Sequence, residues 1–249
     1  MSQCSAASLR LGRGDGGIPI VEQLRCSGAL YFRPTEWGVW MVGAGAHPIG
    51  GDRLSVRLTV AAGCNAEVRS TSATLARKGP GPGCERSAMV INVRIGREAT
   101  LMWNPEPGVA AAGSDHVADT RIRMGDGARL AWRDEFVIGR HGEEPGTWRS
   151  RLRIAGAGSV LLSSDTAAGP RAPGWRSSAV LDGARAISTL VVIDPLRKFG
   201  AATQESRGTT RALALPLAAQ GVQVVAWGQE LSDCREAVES LACRVRATS

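Results

Sequence analysis

Three carboxylates, two small hydroxyls and one basic pair stand where this chain turns from strand to loop. The carboxylates are Asp52, Glu106 and Glu135; the hydroxyls are Ser72 and Thr74; the basic pair is Arg140-His141. Each carboxylate has an ordinary use. Asp52 can accept backbone N–H groups at its turn, Glu106 can stand solvated between Pro105 and Pro107, and Glu135 can pair with Arg133 or Arg140. If two or more of them line one internal passage, they make a route for a hydrated divalent cation. Weakly held oxygen ligands suit transit, because a tight site traps the ion.

Catalytic arrangements fail on spacing. A triad can be written from Ser72, His141 and Asp52, but no strand–turn–helix elbow presents the serine. No enzymatic turnover is expected. The three histidines are His47, His116 and His141, each read as lying in a loop near a glycine or an acid. Asp115-His116, and His141 just before Glu143 and Glu144, offer ligand types that a transition metal accepts. They serve equally as loop residues bonded to neighbouring backbone. Six cysteines stand at Cys4, Cys26, Cys64, Cys84, Cys234 and Cys243, with no metal-finger or Cys-x-x-Cys spacing. No tight metal site and no permanently bound cofactor is expected.

The elements that must position these residues are strands. The 249 residues include 31 Gly and 12 Pro, and 43% are hydrophobic, enough for one large domain with a core. Abundant glycine with few Glu and Lys favours short strands and turns. Formal net charge is +7, carried mostly by Arg spread along the strands. That reads as solvated strand faces and a body suited to an acidic protein partner. It does not read as a nucleic-acid surface, since no basic cluster is interleaved with aromatics. No long apolar run follows Met1 and no stretch is apolar enough to span a membrane, so a cytoplasmic protein with reduced thiols is expected.

Residues 1–8 are small and polar and are expected to be frayed or disordered. Leu9–Leu11 and Ile18–Arg25 flank Asp15-Gly16-Gly17 as a first hairpin. Ala29–Arg33 reads as a strand ended by Pro34, and Val39–Val42 as another. A glycine-dense loop, Gly43–Asp52, follows. A unit then recurs about every 30 residues, each an alternating strand, a glycine turn and a returning strand. The units start at Leu58-Thr59-Val60, Val93-Arg94-Ile95, Ile122-Arg123-Met124 and Leu152-Arg153-Ile154. They predict stacked β-hairpins or a short β-solenoid. Lys78–Glu85 and Gly169–Gly174 read as exposed loops, and Ala184–Ile193 as a strand buried on both faces. Leu196–Arg211 has no clear period. Leu213–Trp227 is strand, interrupted by Pro216 and Gly221. Leu231–Val245 is a helix, capped by Asp233 with Glu236 three residues on. Its apolar stripe is Leu231, Cys234, Val238, Leu241 and Val245.

Four segments carry a family resemblance. They are Pro48-Ile49-Gly50-Gly51-Asp52-Arg53-Leu54, Ser70-Thr71-Ser72-Ala73-Thr74-Leu75-Ala76-Arg77, Trp103-Asn104-Pro105-Glu106-Pro107 and Gly139-Arg140-His141-Gly142-Glu143-Glu144-Pro145-Gly146. In this order and at this spacing the chain resembles the urease accessory proteins of the UreD (UreH) family in their actinobacterial form, from about Leu9 to Arg246. It departs from the better-known pattern at three places. The leading glycines are kept loosely in Gly43–Gly51, a Thr-Thr pair is Ser70-Thr71, and Gly79 stands where an aromatic is usual.

The resemblance implies a non-enzymatic maturation factor. Its partners would be UreF, the GTPase UreG and the urease apoprotein. Its cargo would be nickel, held transiently and passed toward a carbamylated-lysine dinuclear site. Asp52, Glu106 and Glu135 are the expected transient contacts, with Ser72, Thr74, Arg140 and His141 in functional loops. Leu231, Val238 and Leu241 are the expected docking side chains for a helical partner. The whole chain, 1–249, is read as one mainly β domain: a β-helix-like two-layer sheet scaffold with one or two α-helices, one near the C-terminus. A β-solenoid interaction module with no metal role is the alternative.

Overall fold

The computed structural model describes residues 3–36, 38–83, 85–218 and 220–246, with residue 246 described by its backbone alone. The readings of Met1, Ser2 and Cys84 lie outside these residues. Eighteen strands and one α-helix are described. In chain order they open with β1 (Cys4–Arg13), β2 (Pro19–Ser27), β3 (Leu30–Thr35) and β4 (Gly38–Gly43). The coils follow as β5 (Arg53–Val60), β6 (Asn65–Ser70), β7 (Thr74–Ala76), β8 (Arg86–Ile95), β9 (Thr100–Asn104), β10 (Gly108–Ala110), β11 (Asp115–Met124) and β12 (Arg129–Ile138). The chain ends with β13 (Thr147–Gly156), β14 (Ser159–Ala168), β15 (Ala186–Ile193), β16 (Thr203–Arg207), β17 (Thr210–Pro216), β18 (Gly221–Gly228) and α1 (Leu231–Arg246).

The repeat builds a solenoid of two layers. One layer runs β2-β1-β5-β8-β11-β13-β14, parallel from β1 to β13. The other runs β3-β4-β6-β9-β12-β15-β18-β17-β16, parallel from β4 to β12 and antiparallel beyond. The hairpin alternative is therefore corrected for three of the four units. After the turns at Gly63, Gly96 and Gly125 the returning strand crosses to the opposite layer, and of the four units the one made by β13 and β14 pairs as a hairpin. Both strands of a unit alternate, and both must bury one face in the same core. Facing layers satisfy that demand.

In-register stacking turns the alternation into core rows. Leu9, Leu58, Val93, Ile122 and Ile154 are register partners from strand to strand, each at most 1% exposed. Burying an aliphatic side chain of this size contributes about 2 kcal/mol. Opposite them, Trp103 and Trp132 stack with ring centroids 4.7 Å apart. The stacked turns leave no room for a side chain at their corners. A Cβ on Gly96 would lie 2.5 Å from the Ala62 backbone nitrogen, and one on Gly125 2.8 Å from that of Arg97.

Several boundaries differ from the sequence reading. The N-terminus is not frayed from residue 4 on: β1 is locked between β2 and β5, and Ala7 and Leu9 are buried. β3 runs through Pro34 to Thr35, because its far edge needs no N–H donor there. Gly169–Gly174 is not wholly exposed, since Ala172 packs with Trp175 and Leu181 in a satellite core. The unplaced Leu196–Arg211 holds β16 and the start of β17. All eight residues of β15 are buried, one face toward the sandwich and the other toward α1.

The helix begins at Leu231, so Asp233 lies in its first turn rather than at its cap. There its charge still favours the positive helix end. Cys234, Val238 and Leu241 are fully buried against Leu190, Val192, Val222 and Val224. The docking expectation for Leu231, Val238 and Leu241 is corrected by this packing: Leu231 packs at its margin, and the stripe is consumed by the chain's own sheet. Among the described residues no helix is long and apolar enough to cross a membrane.

Candidate functional site

The four motif segments meet on one short ladder. β7, β10 and β12 pair in parallel, with Ala76, Ala110 and Ile138 in register. Ile49 bridges to Arg77 at one end, and Gly139 N–H donates to Ala110 at 2.7 Å at the other. Segments separated by up to about ninety residues thus become neighbours because the solenoid stacks their coils.

Asp52 closes the glycine loop. It is 3% exposed, and its carboxylate accepts from the N–H groups of Gln3 and Ile49 at 2.8 Å each. The Nδ1 of His47 lies 2.7 Å from the same carboxylate. Burial alone pushes this carboxyl up, but His47, Ile49 and Gln3 together hold it below the ordinary range. Asp52 is therefore a saturated loop clamp, as its capping reading expected.

Behind this loop lies a cavity of about 190 Å³. His47, Ser70, Ser72, Thr74 and Arg77 are among its lining residues, and Asp52 is not. Ser70 ties the next two motifs together: its hydroxyl donates to the Ser72 carbonyl at 3.1 Å and accepts from Glu106 N–H at 2.8 Å.

Glu106 and Glu135 come together through Arg235 of α1. Its guanidinium donates to Glu135 at 2.7 Å and lies 3.6 Å from Glu106. Glu135 is buried and also takes the hydroxyl of Ser188 at 2.7 Å and Arg133 at 3.1 Å. Arg133 reaches on to Glu239, so the helix is clasped twice. The hydrogen bond from Arg235 to Glu135 raises the arginine's pKa further. Of the two partners expected for Glu135, Arg133 is present and Arg140 is not.

Arg140 turns instead to Glu143, binding it through two nitrogens at 2.9 and 2.8 Å. That pairing pulls Glu143 down to about 2. Arg185 clamps the same loop by donating to the carbonyls of Ile138, Arg140 and Glu143. His141 sits exposed at the loop tip.

The loop assignment of His116 is corrected. It lies within β11, fully buried, with Nδ1 2.8 Å from the Ser87 hydroxyl and its ring 4.3 Å from that of Trp148. Burial pushes its pKa down to about 3, so it is neutral. Asp115 beside it pairs with Arg86 and Arg171.

Sequence reading missed Asp134 and Arg235. Asp134 occupies the register slot between the core residues Trp132 and Phe136 and accepts from the Ser150 hydroxyl on the facing layer. Burial raises its carboxyl. An acid in an apolar slot of an alternating strand was the available signal. Arg235 gave none, because only the tertiary fold sets it over two distant glutamates.

Among the described residues no three His, Cys, Asp or Glu side chains converge tightly enough to hold a metal ion. Burial pushes the Cys234 thiol up to about 12, which withholds the thiolate that a metal needs.

Comparison with known proteins adds a family. The profile of the family described as UreD urease accessory protein matches residues 5–249. A protein named urease accessory protein UreD from Streptomyces avermitilis is 43% identical over 190 residues, covering 74% of this chain and 73% of its own length. Urease accessory protein UreD 3 of Streptomyces griseus subsp. griseus is 40% identical, covering 86% of this chain and 80% of that protein. The urease accessory protein UreD of Frankia alni is 32% identical, over 95% of this chain and 91% of its own.

Proposed function

This chain belongs to the UreD urease accessory protein family, and on that premise we propose that it is a cytoplasmic, non-enzymatic scaffold for urease maturation. It docks the urease apoprotein together with UreF and the GTPase UreG, and it assists the delivery of nickel, its transient cargo, to the urease active site. The observation that carries this reading is the convergence of four motif segments on the β7–β10–β12 ladder. A rigid two-layer body that presents several loops at one place suits assembly of partners.

Nickel transit is the finer part of the proposal. A hydrated dication needs oxygen ligands that release it. Glu106, in the loop between β9 and β10, and Glu135 of β12 supply such oxygens. Asp134, next to Glu135 on β12, supplies one on the opposite, core-facing side of that strand. Arg235 offsets two of them, so passage requires that guanidinium to swing away. Asp52 acts through the loop it clamps, because its carboxylate is already taken by three donors.

The same Arg235 bridge favours the second reading, a β-solenoid interaction module with no metal role, since it leaves both glutamates neutralised. Native pull-down with UreF, UreG and urease, followed by nickel-dependent urease activation, separates the two. The scaffold reading expects a complex that activates urease. A complex that forms while activation proceeds equally well without this chain leaves the interaction module, and no complex at all removes both.

A further inference from the structure

The cavity behind the glycine loop carries chemistry that the maturation reading does not use. Among its described lining residues there is no aspartate or glutamate, while Arg77, His47, Ser72 and Thr74 face it. Asp52, the acid nearest in sequence, is held outside the lining by its three donors.

Arg77 is fixed in place from both sides. Its N–H donates to Pro48 and its carbonyl accepts from Gly50, each at 2.9 Å. Its Nη2 donates to the Ala46 carbonyl at 2.9 Å. Yet its Nε–H is buried and finds no acceptor among the described residues. A charged donor kept dry without an acceptor is costly, and buried polar groups are otherwise satisfied. Hydroxyl donation is also at hand. Ser70 is spent on Ser72 and Glu106, whereas Ser72, in the adjoining turn, and Thr74, at the start of β7, are also among the residues that line the cavity.

We propose that this cavity binds a small oxyanion, with the Arg77 guanidinium as its charged anchor and the Thr74 and Ser72 hydroxyls as further donors. A guanidinium edge matches the paired oxygens of phosphate, sulfate or bicarbonate. A volume of about 190 Å³ holds one such ion with a little water and is too small for a nucleotide. The site is independent of the scaffold reading. It also bears on that reading, because a cavity lined by Arg77 repels a dication and places any nickel route elsewhere.

The test is calorimetric titration of the purified chain with sodium phosphate, sodium sulfate and sodium bicarbonate in separate runs, at an ionic strength held constant with chloride. Saturable one-to-one binding of at least one probe is expected. Preference for phosphate and sulfate assigns a tetrahedral anion, and preference for bicarbonate a planar one. Arg77→Met is expected to weaken that binding about tenfold or more, as loss of a charge-assisted pair does. Thr74→Val is expected to weaken it roughly threefold. Circular dichroism checks that each variant folds. If Arg77→Met does not fold, Arg77→Lys keeps the charge and loses the fork, and a severalfold weakening is then expected. Heats equal to those of chloride for all three probes overturn the proposal. So does binding that the folded Arg77 variant and Thr74→Val leave unchanged.

Discussion

Glu135 of β12 and Arg235 of α1 stand 100 positions apart in the chain and meet at 2.7 Å. The glutamate side chain is 1% exposed and the arginine 39%. This asymmetry sets the outcome of removing either partner. Glu135→Ala leaves Arg133, itself 13% exposed, with the exposed Glu239 as its remaining carboxylate partner, and leaves the Ser188 hydroxyl without its acceptor. The expected cost is about 3 kcal/mol, or a fall of roughly 6–12 °C in melting temperature. Arg235→Ala leaves Glu135 with Arg133 and Ser188, so about 1 kcal/mol is expected. Thermal unfolding of both variants checks the order. Equal losses, or a larger loss for the arginine, would show that the helix clasp and not the buried charge dominates.

His116 gives the protein a pH response that begins near neutrality. Its folded pKa of about 3 lies below the ordinary 6.5 because burial disfavours the charged ring. Above pH 6.5 both folded and unfolded forms are neutral, and the group is silent. As pH falls through that value the unfolded chain takes a proton that the folded chain refuses, so stability declines. The slope is at most about 1.4 kcal/mol per pH unit and ends near the folded pKa. His116→Asn keeps a polar atom for Ser87 and removes the titration. Denaturant unfolding of both proteins from pH 7 to pH 4 is expected to give a flatter curve for the variant. Parallel curves would refute the burial argument.

Asp52 acts in a lower window. Its hydrogen bonds lower its pKa below 3.8, so its contribution is present above that value and is lost as pH falls through the folded pKa. Asp52→Asn keeps the size but can satisfy fewer of the three donors. A loss of about 1–2 kcal/mol at neutral pH is expected, with less acid sensitivity below pH 4. The fold is retained, since one cap rarely unfolds a domain. Urease activation in a reconstituted assay is expected to fall, because the loop from Gly43 to Asp52 loses its clamp. Normal activation by a folded Asp52→Asn protein would show that the clamp is dispensable.

The architecture was legible because alternation and the thirty-residue spacing both survive in the sequence, from Leu58 through Val93 and Ile122 to Ile154. The route of the chain at each turn was not. Four residues around Gly63 suit either a hairpin or a crossing to the facing layer, and the choice is made by pairing with the next coil. The same limit applies to the site. Ser72, Thr74 and Glu106 lie in short motifs that announce themselves, and Ser70 joins their loops. Arg235 and Arg77 were not legible as site residues in the same way. Arg77 only closes the second motif segment and Arg235 only sits on the polar side of the helix, in a chain rich in arginine, and each gains meaning from what the fold sets against it. His116 was misread because Asp115 and Gly113 look like a turn, while the strand starts at Asp115 itself.

The helix offers the sharpest test of the packing. Leu241 is fully buried, with Val222, Val224 and Val238 in the same cluster. Leu241→Asp places a carboxylate there with no cation in that apolar cluster to receive it. The charge must be desolvated or the carboxyl protonated, and either is costly. A loss above about 4 kcal/mol is expected, enough to lower the melting temperature by roughly ten degrees or more. Leu241→Ala, which removes only volume, should cost about 2–4 kcal/mol and keep the fold. Had the stripe been an open docking face, both variants would melt like the parent and only co-purification with UreF would suffer. Melting curves therefore decide between the two before any partner is added. A parent-like curve for Leu241→Asp would require α1 to leave β15, β17 and β18 in solution.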